Sequence, residues 1–223
     1  MLARAQALAM RRFTLLFGSL VAILLLYPYL EGFGWRGVLL NLLVTAVLAA
    51  GAWGASGRRR DLVAALALAA PWVFVTWGYI LCEYSAPLEV GYLSMVAFSL
   101  FTIAVILRHV LGAERVTSDV ILGAISAYLL FGAAWGFLYA LVERLSAGSF
   151  SFAHTHLGGG ELTWSDFVYF SFVSLTSTGY GDAAPISGHA RSLAICEMIV
   201  GMMYPAALIS RLASLYRSEA EER

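Results

Sequence analysis

Residues 176–182 read Thr176-Ser177-Thr178-Gly179-Tyr180-Gly181-Asp182, three hydroxyl side chains followed by Gly-Tyr-Gly and an acid. An apolar, aromatic stretch of about 11 residues, Ser165 to Leu175, precedes this turn, and a long apolar segment follows it. A helix of that length is too short to cross a membrane, which takes about 20 residues. Non-helical backbone persists at membrane depth only where it lines water or is buried in protein. The pattern therefore predicts a re-entrant loop.

The composition indicates a membrane protein. Of the 223 residues 61% are hydrophobic and 13% are charged, with a mean hydropathy of +0.80, too little polar surface for a soluble domain. The 14 basic residues balance 14 acidic residues, so the net charge gives no indication of a nucleic-acid partner, and none is expected. No nucleophile–base pair, phosphate loop or metal-ligand cluster is evident, so we expect neither enzyme activity nor a cofactor.

Six segments are long and apolar enough to cross the hydrocarbon core. The first has the basic start of a signal peptide, but it runs for about 18 residues without a small-x-small cleavage site. We therefore interpret it as a retained helix. The segments run approximately from Phe13 to Leu30, Gly37 to Ala55, Asp61 to Leu81, Gly91 to Leu111, Asp119 to Leu145 and His189 to Tyr216.

The arginines distinguish the two sides of the membrane. Eleven of the 14 fall at the termini or in loops on the same side as the termini, and three fall on the other side. Because cytoplasmic loops carry the excess of basic residues, both termini are expected on the cytoplasmic side of the cell (inner) membrane. The three on the outer side are Arg36, Arg144 and Arg191.

The chain divides into two regions and a tail. Residues 1–115 are predicted to form a four-helix transmembrane domain, and residues 116–217 a helix, a re-entrant loop and a helix. Residues 218–223 would be a short cytoplasmic tail. Ser118 or Asp119 is a candidate cap for the fifth helix.

From residue 119 to 217 the chain resembles tetrameric potassium channels, whose usual Thr-Val-Gly-Tyr-Gly filter matches Ser177–Gly181 here. The first four helices match only by number. The resemblance implies an all-α membrane protein with six transmembrane helices, a re-entrant pore helix and a filter loop per subunit, and a homotetrameric pore. Carbonyls would replace the water shell of K⁺, with potassium at Ser177, Thr178, Gly179 and Tyr180. The whole filter would comprise Thr176, Ser177, Thr178, Gly179, Tyr180 and Gly181.

Two positions depart from the usual filter. Ser177 stands for Thr, which frees the rotamer of its hydroxyl, and Thr178 stands for Val or Ile, which places a hydroxyl where an apolar side chain normally packs. Gly179 and Gly181 match the family, since carbonyls that all face one axis demand backbone angles that a Cβ forbids. A non-selective monovalent cation channel is therefore the alternative to a potassium channel.

Three side chains are expected to support the filter. By resemblance Tyr169 occupies the place of an aromatic on the pore helix, and its spacing from Asp182 suggests a hydroxyl–carboxylate bond; the alternative is an aromatic that only packs. Glu197 lies deep within the last span, where an ionisable residue is expensive and a functional candidate. It either accepts hydrogen bonds behind the filter, for example from Ser174, or faces the cavity and concentrates cations.

The last helix carries a candidate hinge. Gly201 matches the hinge position of the family, and Pro205 removes the partner of the Gly201 carbonyl, so the two together favour a bend. The alternative is that Gly201 allows close helix packing. The register of the family places Met202, Pro205 and Ile209 on the cavity wall. On the fifth helix, Gly132 and Gly136 are small residues four apart and predict close helix contact.

The fourth helix lacks the arginine series of a voltage sensor, since residues 91–111 contain only Arg108. His154 and His156 could form a zinc or proton site, although a solvated loop is the simpler interpretation.

We therefore expect a potassium-selective channel that conducts K⁺ passively, is not intrinsically voltage-gated, and has K⁺, membrane lipid and its own copies as partners. Two further functions fit the sequence less well. One is a potassium transporter subunit, which the single Gly-Tyr-Gly disfavours, and the other is a receptor whose first four helices bind a ligand.

Overall fold

The computed structural model describes residues 12–30, 35–54, 57–82, 87–153 and 162–221. Six helices in these ranges are long and apolar enough to span a membrane. A seventh, α6 (Trp164–Leu175), is short and lies between the last two spans in sequence. The protein is an all-α, multi-pass membrane protein, which confirms the predicted fold class. The spanning helices are α1 (Arg12–Leu30), α2 (Trp35–Gly54), α3 (Arg59–Cys82), α4 (Leu88–Leu111), α5 (Ser118–Leu145) and α7 (Gly188–Glu221).

Helix α5 is capped by Thr117, so the prediction that Ser118 or Asp119 caps it is wrong. Thr117 has extended backbone angles, and its hydroxyl accepts a hydrogen bond from the Val120 N–H at 3.3 Å. Ser118 and Asp119 already belong to the first turn of the helix. The Asp119 carboxylate instead lies 3.4 Å from the backbone nitrogen of Phe13 on α1.

A two-stranded sheet supplements the helices. Strand β1 (Phe150–Phe152) pairs antiparallel with β2 (Ala183–Pro185), with Ser151 opposite Ala184. The Ala153 N–H continues the ladder, donating to the Asp182 carbonyl at 2.7 Å. The segment that follows α5 is thereby tied to the residues directly after Gly-Tyr-Gly. No pattern in the sequence predicted this sheet.

Helix α5 lies at the centre of the fold. It packs against α4 and α6 most extensively and also contacts α1 and α7. Two of its glycines are pressed against α6, since a Cβ on Gly132 would come within 2.6 Å of the Phe172 ring and one on Gly136 within 2.7 Å of Val168. The predicted close contact at these two glycines is confirmed, and the neighbour is α6.

The buried residues form two clusters at opposite ends of α5. One surrounds Tyr139 and is rich in aromatic rings, with edge contacts that join Phe150, Phe167 and Phe170 at centroid distances of 5.4–5.5 Å. The other is mostly aliphatic and joins the starts of α1 and α5 to the end of α4. Its fully buried members include Leu16, Ile106, Val110 and Ala124. Through Phe167 and Phe170, the aromatic cluster packs against α6.

Candidate functional site

Helix α6 delivers residues 176–182 to the surface of the chain. It begins after Thr163, whose backbone N–H donates to the Asp166 carboxylate at 2.7 Å. It ends at Leu175, and the N–H groups of the next three residues turn back onto the helix, with Thr178 N–H donating to the Val173 carbonyl at 2.9 Å. The turn is therefore held through its N–H groups.

Every second residue of this turn has a left-handed backbone. The φ angles are +56° at Ser177, +61° at Gly179 and +83° at Gly181. A Cβ on Gly179 or Gly181 would meet no atom within 4 Å, so it is the backbone angle, and not the space, that selects glycine there. Ser177 adopts the same angle with a side chain, a strained arrangement that is concentrated at functional sites.

The carbonyl groups of the turn, residues 176–181, unlike the N–H groups of residues 176–178, have no hydrogen-bond partner in the described part of the chain. The turn is exposed in the single chain, and Tyr180 retains 72% of its accessible surface. Consecutive carbonyls are thus left available to a partner outside the chain.

The two threonine hydroxyls of the turn bond to each other and to α6. The Thr176 hydroxyl donates to the Phe172 carbonyl at 2.7 Å, and it lies 2.8 Å from the Thr178 hydroxyl. A hydroxyl has a single proton, so Thr178 donates to Thr176. The unusual hydroxyl at position 178 is therefore paired.

The Tyr169 hydroxyl donates to the Asp182 carboxylate at 2.7 Å, the contact suggested by their spacing. This bond raises the pKa of Tyr169 to about 12, so the phenol keeps its proton at physiological pH. Asp182 also accepts from Ala153 through its carbonyl, and β2 begins at the next residue. Asp182 thus connects α6, the turn and the sheet.

Glu197 lies behind α6 with no exposed surface. Its Oε1 is 2.5 Å from the Ser171 hydroxyl, and its Oε2 accepts from the Tyr139 hydroxyl at 2.6 Å. In the single chain Glu197 is therefore buried and hydrogen-bonded. This agrees with the interpretation of a hydrogen-bonded acid rather than that of a cavity-facing acid. The partner on α6 is Ser171, about one turn before the expected Ser174. Tyr139 was not foreseen, because no sequence pattern relates it to Glu197.

One turn further along both helices, α7 meets the end of α6. A Cβ on Gly201 would overlap the Leu175 carbonyl, so only glycine permits this approach. The structure thus supplies the packing reason for Gly201. Helix α7 remains helical through Pro205, and bending at Gly201 stays a prediction.

The other predicted residues of α7 differ from Glu197 and Gly201 in their exposure. Met202 and Ile209 are exposed on the single chain, and Pro205 is half-buried. Their place on a cavity wall stays a prediction. His154 and His156 lie outside the described residues.

Two comparisons with known proteins place the chain. Residues 123–218 match the family model described as ion channel. The chain is also 29% identical over 114 residues to Protein LctB of Bacillus caldotenax, a match that covers 51% of this chain and 81% of that protein. Residues 123–218, which match the family model, contain α6, the turn and most of α5 and α7. Residues 123–218, a little under half of the chain, are therefore similar to the ion channel family.

Proposed function

We propose that this ion channel is selective for potassium and that residues 176–181 form its selectivity filter. The observation that carries the proposal is the alternation of left-handed residues at 177, 179 and 181 in a turn whose carbonyls have no partner within the described chain. Potassium filters use such carbonyls in place of the hydration shell of the ion. Ser177, Thr178, Gly179 and Tyr180 would supply the oxygens that bind K⁺, and no other cofactor is needed.

The proposed pore is a homotetramer. One chain supplies one strand of oxygen ligands, and its exposed turn needs water or protein around it at membrane depth. A closed symmetric ring of subunits would complete the set of oxygen ligands and surround the turn with protein and water. The resemblance to tetrameric potassium channels implies four subunits. In such a ring Met202, Pro205 and Ile209 would line the cavity, while Gly201 packs against α6. Residues 1–115 would form the peripheral domain, residues 116–217 the pore, and 218–223 the tail.

The same proposal covers orientation and gating. The arginine distribution favours a cell (inner) membrane location with both termini in the cytoplasm, which opens the filter to the outside. Arg108 lies in the last turn of α4, and its guanidinium is 3.4 Å from the Asp61 carboxylate. An arginine at the end of a spanning helix can move through only a small part of the transmembrane electric field. We therefore expect conduction that depends little on voltage.

A non-selective monovalent cation channel is the second candidate, and one observation bears on it. Ser177 lacks the methyl of the usual threonine, and the structure gives its backbone a strained left-handed angle. A filter that is less rigid at its innermost site would discriminate less between Na⁺ and K⁺. Reversal potentials in mixed Na⁺ and K⁺ separate the two candidates.

The experiment is an ion-flux assay on the purified full chain in liposomes. We expect K⁺ flux well above Na⁺ flux, and loss of K⁺ flux in Gly179→Ala, since alanine cannot easily adopt a φ of +61°. The matched control is Gly188→Ala, where a Cβ meets no atom within 4 Å and the backbone is helical. Equal Na⁺ and K⁺ flux would favour the second candidate, and a conducting Gly179→Ala variant would contradict the filter assignment.

A further inference from the structure

Three polar side chains from three helices meet in the core of the protein. Tyr139 on α5, Ser171 on α6 and Glu197 on α7 each have no exposed surface. The Tyr139 hydroxyl is 2.6 Å from Oε2 of Glu197, and the Ser171 hydroxyl is 2.5 Å from Oε1. The Ser171 oxygen also lies 2.7 Å from the Gly132 carbonyl on α5.

The protons available to this cluster can be counted. The Ser171 hydroxyl has one proton, and the Gly132 carbonyl can only accept. The distances from the Ser171 oxygen to the Gly132 carbonyl and to Oε1 of Glu197 are both as short as a linear O–H···O bond. One proton cannot lie on both lines at once, so the Ser171 proton accounts for only one of the two contacts. If Glu197 were ionised, one of the two short contacts would join two oxygens with no hydrogen between them.

A proton on Oε1 of Glu197 resolves the conflict. Glu197 then donates to Ser171, Ser171 donates to the Gly132 carbonyl, and Tyr139 donates to Oε2 of Glu197. Every short contact then contains one proton. The neutral acid also avoids the cost of an isolated buried carboxylate, which is large inside a membrane.

Among the residues that the structure describes, no cationic side chain forms an ion pair that would compensate a negative charge on Glu197. The Tyr139 phenol on α5 bonds to it directly, and the Tyr128 phenol on α5 is close enough to interact with it electrostatically. Its chain neighbour Cys196 is exposed. From α6 Glu197 is faced by Ser171, which does not titrate, and the nearby β1 contributes the ring of Phe150 against Tyr139.

We propose that Glu197 is a buried proton-binding site whose bound proton joins α7 to the back of the pore helix. Loss of that proton would leave a carboxylate against an oxygen that is already committed to the Gly132 carbonyl. Ser171 must then abandon either Gly132 or Glu197, so α6 loses one of its two polar attachments. Release of the proton at alkaline pH is therefore expected to reduce conduction, a last step that rests on the proposed potassium-channel function.

The bound proton is tested by infrared difference spectroscopy of the full chain in liposomes between neutral and alkaline pH. We expect the carbonyl stretch of a protonated carboxylic acid at neutral pH, displaced in D₂O and lost at alkaline pH. The band should be absent from Glu197→Gln and displaced in Ser171→Ala, which removes the acceptor of the proton. The control is Glu89→Gln, because Glu89 is paired with Arg144 at 2.8 Å and contributes no such band.

Absence of the band from the wild-type protein at neutral pH, or its persistence in Glu197→Gln, would overturn the proposal. The link to conduction is measured as K⁺ flux against pH, with each protein normalised to its own flux at neutral pH. We expect the wild-type flux to fall over the pH range in which the band disappears, and the Glu197→Gln flux to lack that fall. A wild-type flux that stays level while the band disappears would overturn the link. Absence of K⁺ flux at any pH would count against the channel proposal, while the infrared result still decides the proton site.

Discussion

Two acidic side chains are hydrogen-bonded to the helix that precedes the proposed filter, and they differ in their surroundings. Glu197 is fully buried and connects α5, α6 and α7, whereas Asp182 is exposed on the single chain and connects α6 to the sheet. Each accepts a tyrosine hydroxyl at 2.6–2.7 Å. Loss of either bond should therefore change the stability by different amounts, although the two bonds have similar lengths. A polar group that loses its partner costs more free energy in the core, where water cannot replace that partner. The structure predicts that Glu197 determines stability and that Asp182 determines the local shape of the filter.

The largest effect is expected for Glu197→Ala. This change leaves the Tyr139 hydroxyl without its acceptor and opens a cavity among three helices. Because cavity formation and a lost buried bond add, we expect destabilisation of about 2–4 kcal/mol. Thermal unfolding of the protein in detergent measures it.

Glu197→Gln is the matched control, since an amide can donate to Ser171 and accept from Tyr139, and it should retain most of the stability. If the alanine variant unfolds at the wild-type temperature, the buried cluster does not determine stability.

The second effect concerns Gly201, which lies one turn from Glu197 on the same face of α7. A Cβ there overlaps the Leu175 carbonyl, a backbone atom that cannot rotate away, so α7 must shift from α6 in Gly201→Ala. Overpacking of this kind costs about 1–3 kcal/mol. The melting temperature and the K⁺ flux should therefore fall together, whereas Gly188→Ala should change neither.

A Gly201→Ala protein that melts like the wild type but has an altered open probability would favour the hinge over the packing role.

The sequence predicted what depends on local pattern and missed what depends on how helices rotate against one another. Six apolar runs and one short run were sufficient to predict the six spans and the short helix α6. The contact of Tyr169 with Asp182 was suggested by their spacing of 13 residues. Tyr139 and Glu197 are separated by 58 positions on helices that are apolar on most faces, so no periodicity indicates that they meet. Ser171 and Ser174 lie only three residues apart on a 12-residue helix, and hydropathy does not show which one faces α7.

Two smaller errors have similar causes. Thr117, Ser118 and Asp119 are all residue types that cap helices well, so the sequence did not show which of them is the N-cap of α5. Strands of three residues are too short for an alternating pattern to emerge, which is why the β1–β2 pair was missed.

A smaller effect on stability is expected for Tyr169→Phe. The bond to Asp182 is exposed, so its loss should lower stability by less than about 1 kcal/mol. The filter would lose a support, so single-channel records should show altered conductance or inactivation. The hydrogen bond raises the pKa of Tyr169 to about 12, so its contribution is present below about pH 10 and is lost as the pH rises through about 12.

Tyr79→Phe, on the exposed face of α3, is the control for loss of a hydroxyl. Unchanged conductance and inactivation in Tyr169→Phe would mean that Tyr169 only packs against its neighbours.

The smallest effect is expected where an acid pairs with arginine in water. Arg144 at the end of α5 donates to Glu89 at the start of α4 at 2.8 Å, and both side chains are substantially exposed. Solvent and salt screen such a pair, and holding two long side chains together costs conformational entropy. Glu89→Gln should therefore leave the melting temperature unchanged at physiological ionic strength, in contrast to Glu197→Ala. A drop comparable to that of Glu197→Ala would show that burial does not separate the two kinds of acid, because a partly exposed ion pair would then matter as much as a bond in the core.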